Sequence, residues 1–429
     1  MSDSSPTAEP GWLAKAAAWL TPRRLRAQAL LLALCAWGVC AADFATPGFF
    51  DRAGNLKFQD FLPLYVSARW IAAGRSAELY DQGVVASEIR TIIGEPAGTR
   101  LPNLYGPHVG LAFVPLARFS FPVAARVWVT FSLVLYFACI WMIWRSCPSL
   151  QPHGRLVATA AAAFPPLFHF FVRGQISVLV LACFVAAFLA FRSDRPWLAG
   201  IALGLLVFKP QFLVAVPLVL LLARAWESFG GLVVSAAAQF GLAWMYFGSA
   251  VMRSYFETLW HVSRWIGAAE LSLAPIQMHS LRSFWTLLIP WPQLALGLYL
   301  LTSVVGIAVA AAVWKSASPI ALRFSALTLA AVLVNPHLFV YDLVVIAPAL
   351  LLIVNWILRD PNHASSNALR LLTYLAFVLP LFGPLSRWTH LQLSVPAFAV
   401  LLWVLWRCLS SAAEEKPGHK LAPNESRVV

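Results

Sequence analysis

The chain has 429 residues, 60% of them hydrophobic and only 11% charged, against about 25% charged in soluble domains. That balance excludes an ordinary soluble enzyme and makes lipid the main solvent. The net charge of +13 does not point to nucleic acid either, because the basic residues are scattered among loops and report membrane topology first.

In chain order, residues 1–26 carry Lys15, Arg23, Arg24 and Arg26, a cluster expected on the cytoplasmic side. Residues 27–42 hold no charge and read as a first span. They do not read as a cleaved signal peptide, since Ala42-Asp43-Phe44-Ala45 is a poor cleavage site. A long segment, about 43–121, follows on the opposite side. Within it Phe61, Leu62, Leu64, Tyr65, Ala68, Trp70 and Ile71 alternate with Ser67, Arg69 and Arg75, the pattern of a helix lying in the membrane interface. Residues 111–119 are too short to span.

Apolar blocks at 127–144, 156–172 and 176–191 come next, each a helix because backbone groups in lipid must pair within their own segment. Residues 196–226 read as two short apolar arms of about 12 residues, or about 18 Å of helix, meeting at Lys209-Pro210-Gln211. A bilayer core is about 30 Å thick, so Lys209 should lie at membrane depth. Proline disfavours helix at the residue before it, which makes Lys209 the turning point. A block at 229–251 leads to a second outer segment, about 251–289. Blocks at 289–314, 324–334, 343–358, 371–385 and 391–406 complete the chain before a tail, 409–429, expected to be cytoplasmic and disordered. The fold class is thus an all-α polytopic membrane protein with one transmembrane domain, 27–408, of about twelve helices. Both termini should be cytoplasmic, and the first outer loop structured.

Few residues in such a chain can do chemistry. Asp60 opens the interfacial helix on the outer side, as a general base or as a helix N-cap. Lys209 is a point charge suited to phosphate, or a lysine snorkelling to the interface. Asp342 is a buried acid that needs a partner, with His337, Tyr341 or a nearby Arg as candidates; that pair would serve a site or only orient two helices. In the second outer segment Arg264 and His279, with Tyr255, His261, Trp265 and Arg282, suit phosphate and sugar contacts or an ordinary aromatic belt. Gln175 could hydrogen-bond a sugar or cap its helix. The six cysteines suggest neither a disulfide framework nor a metal site.

Several of these residues sit in short stretches with a common order: Asp60-Phe61 through Ala73-Gly74 to Leu79-Tyr80-Asp81; Tyr105-Gly106-Pro107 with Val114-Pro115-Leu116; Arg173-Gly174-Gln175; Leu198-Ala199-Gly200 through Gly204 to Phe208-Lys209-Pro210-Gln211; and Asn335-Pro336-His337 with Tyr341-Asp342. The ordered set, over about 55–350, resembles glycosyltransferase family 87 of the GT-C superfamily. It departs at Gly106 and Asn335, and neither departure removes a titratable group. The resemblance implies a GT-C-like bundle and a hexosyltransferase, mannosyltransferase-like, that takes its sugar from a polyprenyl-phosphate carrier and needs no cofactor or metal. It implies Asp60 as general base, with Lys209, His337 and Arg264 facing the donor phosphate. Gln175, Tyr105, His279, Gln211 and Asp342 are then expected to contact substrate. The partners would be the polyprenyl-phosphate sugar, a lipid or glycan acceptor and membrane lipids, with no nucleic acid. The expected location is a bacterial inner membrane, the site on its periplasmic or extracellular face. A transporter or flippase of a lipid-linked or anionic solute shares the spans, the buried lysine and the broken helix. It does not account for a long, charged first outer loop. A non-catalytic scaffold leaves Lys209 and Asp342 without a reason.

Overall fold

A computed structural model describes residues 11–94, 101–261 and 275–414. The apolar blocks form helices, and among the described residues there are only two isolated β-bridges and no strand. Their outer faces are greasy: Leu31 and Leu34 of α2 (Pro22–Phe44) are 65% and 72% exposed. That is the surface of a helix bathed in lipid, not water. A short helix, α1 (Gly11–Trp19), precedes it.

Among the described residues six helices are long and apolar enough to cross a membrane, or seven if one bent pair counts as a single crossing; five further apolar helices run only 10–17 residues. The twelve blocks read from sequence therefore divide by length into these two groups. Three breaks interrupt the apolar blocks, and the one at Lys209 accounts for two of the short helices, Pro196–Phe208 and Pro210–Leu222. The 156–172 block is two helices, α7 (Gly154–Ala162) and α8 (Pro165–Arg173), bent by 47°. Pro165 and Pro166 begin α8, where their missing N–H groups cost nothing, but they cannot continue α7. The long helix Trp226–Trp260 carries a non-helical Gly248 at φ 77°. At Lys209 (φ −130°, ψ 74°) the chain turns between two tight 3-10 turns, Leu205–Phe208 and Pro210–Leu213, as the Lys-Pro step requires.

The hairpin around Lys209 is anchored by glycine. Its first arm, Pro196–Gly204, lies so close to Trp226–Trp260 that a Cβ at Gly200 would stand 2.1 Å from the Ser228 carbonyl oxygen. One at Gly231 would stand 2.4 Å from that of Trp197. Small residues that let backbones touch are the usual means of joining helices in lipid, where the hydrophobic effect gives no drive.

The segment between α2 and α6 (Phe121–Arg145) holds α3 (Leu62–Ala72), α4 (Gln82–Ile93) and α5 (Pro107–Ala112). Here the expectation of an interfacial helix fails. Nine of the eleven residues of α3 are buried, Trp70 included at 2% exposure. Gly110 of α5 packs on Ser67 and Ile71, and the Tyr65 hydroxyl donates to the Phe119 carbonyl at 2.7 Å. Arg69 and Ala72 face outward, Arg69 standing 3.4 Å from Glu88. Residues 111–119, the end of α5 and a 3-10 turn, Val114–Arg118, help cover α3.

Candidate active site

The end of α8 builds the centre of the site. Its last residue is followed by Gly174 in the left-handed conformation (φ 68°, ψ 31°), which only glycine adopts without strain. A Cβ there would also press to 3.0 Å of the Phe61 Cβ. The turn lets the bend that leads into α3, with Phe58 itself at φ 54°, dock on it: Phe58 N–H donates to the Val172 carbonyl at 3.1 Å and Asp60 N–H to that of Arg173 at 3.0 Å. Trp128 fixes the same turn by donating from Nε1 to the Gly174 carbonyl at 2.9 Å. Asp60 and Gln175 are thereby set side by side, though 115 residues apart in sequence.

Gln175 Nε2 donates to Asp60 Oδ2 at 2.8 Å. Its Oε1 accepts from Ile176 N–H at 3.2 Å, the Tyr105 hydroxyl at 3.3 Å and Lys209 Nζ at 3.3 Å. The amide can point only one way. Reversed, it would set N–H against donors and oxygen against a carboxylate. Asp60 is not a cap: the N-cap of α3 is Phe61, and no side chain bonds the free amides there. Burial pushes the Asp60 carboxyl above its ordinary pKa. Arg173, the Gln175 bond and Lys209 act in the opposite direction.

Lys209 does not snorkel. It is 3% exposed, and Nζ donates to Asp342 Oδ1 at 2.6 Å and to Ser177 Oγ at 3.0 Å as well as to Gln175. Ser177 in turn donates to Asp342 Oδ1 at 2.7 Å. The partner of Asp342 is therefore Lys209, rather than His337, Tyr341 or an arginine. A charge pair this deep must have its remaining bonds satisfied to persist, and Ser177, the first residue of Ser177–Arg192, does this. Sequence reading passed over it; a hydroxyl opening a buried apolar helix was the available signal.

The structure thus brings Asp60, Gln175, Tyr105, Lys209 and Asp342 into one bonded cluster. His337 stands at its edge, held by an N–H bond to Asn335 Oδ1 at 2.9 Å and by its ring against Phe339, 4.8 Å between centroids. Burial lowers its pKa, so the imidazole is neutral near pH 7 and offers an N–H rather than a full charge. His279 does not join the cluster. Its Nδ1 bonds Ser394 Oγ at 2.8 Å and its ring packs against Gly383, because its backbone is tied by a bond to the Leu338 carbonyl that turns the side chain the other way. Gln211 is half-buried and bonds no side chain of the cluster among the described residues. Arg264 lies outside the described residues.

Arg173 went unassigned in sequence, although it begins the Arg-Gly-Gln stretch. Its guanidinium stands 6.0 Å from the Tyr341 ring centroid, and Lys209 Nζ stands 5.3 Å from the same centroid. Among the described residues no three of His, Cys, Asp and Glu converge to hold a metal ion.

The sequence profile of glycosyltransferase family 87 matches residues 103–341. The chain belongs to glycosyltransferase family 87. Its matched stretch contains Tyr105, Arg173, Gln175, Lys209 and His337, with Asp60 before it and Asp342 one residue beyond. No curated protein and no solved structure matches the chain. As a family 87 protein it is a multi-pass membrane glycosyltransferase, with a sugar donor and an acceptor.

Proposed function

We propose that this glycosyltransferase moves a hexose, mannose in the first instance, from a polyprenyl-phosphate carrier to a lipid or glycan acceptor at the face of a bacterial inner membrane turned away from the cytoplasm. The observation that carries the reading is the bonded line from Asp60 through Gln175 to Lys209. It sets a carboxylate in reach of solvent beside a buried positive centre. Asp60 takes the proton from the acceptor hydroxyl as that oxygen attacks the anomeric carbon. The bond from that carbon to the phosphate oxygen breaks, and the polyprenyl phosphate leaves with the electron pair. One displacement inverts the anomeric centre. Fixed positive charge and N–H donors facing the leaving group offset the charge it gains; Lys209, His337 and Arg264 are the candidates for that task. In this reading residues 43–121 lie outside the cytoplasm, where polyprenyl-linked sugars are the available donors.

The test is transfer by the full chain in lipid nanodiscs, supplied with radiolabelled polyprenyl-phosphate mannose or a nucleotide sugar. The expected result is label leaving the polyprenyl phosphate only with the first donor. Intact carrier after prolonged incubation, together with carrier crossing the bilayer of reconstituted vesicles, would establish a flippase instead.

A further inference from the structure

A phosphate arriving beside Asp60 meets two cations in different states. Lys209 is committed. Its ammonium has three acceptors, Asp342, Ser177 and Gln175, and is 3% exposed. An ammonium has no further N–H to offer, and releasing one of these bonds would leave Asp342 or the Gln175 carbonyl unsatisfied in a buried site.

Arg173 is uncommitted. Its side chain is half-buried, and among the described residues no carboxylate lies within ion-pair distance of it. Its guanidinium is held over the Tyr341 ring, so the fork is oriented without its N–H donors being used. Its backbone carbonyl accepts the Asp60 N–H at 3.0 Å, so it cannot drift from the base. Asp60, which feels the Arg173 charge, is already bonded by Gln175 at Oδ2 and forms no ion pair with the guanidinium.

We infer that Arg173 binds the phosphate of the polyprenyl-phosphate donor directly, through its guanidinium fork, and that Lys209 instead fixes Gln175, Ser177 and Asp342 around the base. The inference rests on the donor class proposed above. It divides the positive charge of the site into a ligand-binding cation and a positioning one. A forked donor also suits a phosphate monoanion with two free oxygens better than a point charge does.

The experiment measures binding of farnesyl phosphate, and of farnesol as its uncharged counterpart, to the full chain in detergent micelles. Wild type is compared with Arg173→Gln and Arg173→Lys, and melting is followed in parallel. Arg173→Gln should bind farnesyl phosphate about tenfold more weakly or worse, bind farnesol like wild type, and keep its melting temperature. Arg173→Lys should recover only part of the loss. The donor KM for sugar transfer should rise in the same order. Wild-type affinity of Arg173→Gln for farnesyl phosphate would overturn the assignment, and so would an equal loss for farnesol. A wild-type protein that binds no farnesyl phosphate would instead sink the donor class itself.

Discussion

The regions around Asp60 and Asp342, joined through the Gln175 amide and the Lys209 ammonium, use the same residue type to opposite ends. Asp342 lies against an ammonium at 2.6 Å and a hydroxyl at 2.7 Å, its side chain 1% exposed. Asp60 accepts from the neutral amide of Gln175, has the Gln59 side chain and the Arg173 charge nearby, and is half-buried. A carboxylate locked to a cation cannot exchange a proton cheaply; one held by neutral amides gives up far less on taking a proton. Gln175 is what separates the two regions while joining them.

The comparison breaks most visibly at Lys209. Lys209→Met strands Asp342 as a buried, unpaired acid, with an expected loss of about 3–5 kcal/mol in unfolding free energy. Adding Asp342→Leu should return most of it. Denaturant titration in detergent measures both, and a single variant no less stable than the double would mean that the pair holds nothing together. Asp60→Asn comes next. Asn cannot accept the proton, so transfer should drop by about 10²-fold or more, and the melting temperature should stay put because Asp60 caps no helix. A variant that still transfers near the wild-type rate would remove Asp60 from the chemistry.

Gly174→Ala forces a side chain into a left-handed turn and against Phe61. The expected loss is about 1–3 kcal/mol in stability, accompanied by a lower transfer rate because the Gln175–Asp60 bond is displaced. Normal stability and rate together would show that the turn is not what sets the two side chains. The smallest effect is on pH dependence. The base acts when deprotonated, and burial raises its pKa, so transfer should fall on acidification at a pH above the ordinary aspartate value of about 3.9. Arg173 acts to lower that pKa. Arg173→Gln should therefore move the acid limb further up, as read from kcat/KM against pH. A limb that shifts down or not at all would place Arg173 away from the base.

Much of this was legible in the sequence, for identifiable reasons. Charge-free blocks gave the helices, and Lys209-Pro210 gave the break between two short arms, because proline's constraint is local. The Pro165-Pro166 bend is equally local, but it lies inside an apolar run that reads as one block. The α3 pattern was misjudged because periodicity reports a buried face without saying whether headgroups or protein cover it. The Lys209–Asp342 pair could not be read at all. Nothing near either residue specifies a partner so distant, and the nearer candidates His337 and Tyr341 looked sufficient. His279 failed similarly: histidine in an aromatic loop reads as a ligand until a backbone bond fixes which way its ring faces.

The ion pair also has a history. Lys209 leaves the ribosome 133 residues ahead of Asp342, which at about 5–20 residues per second is roughly 7 to 27 s of synthesis. Throughout that interval the hairpin carries its cation with no counter-ion, although its glycine contacts with the following helix can already form. A chain halted before Asp342 keeps that bare charge permanently. The completed protein conceals it, so the last third of translation converts a mark of incompleteness into the interior of a catalyst.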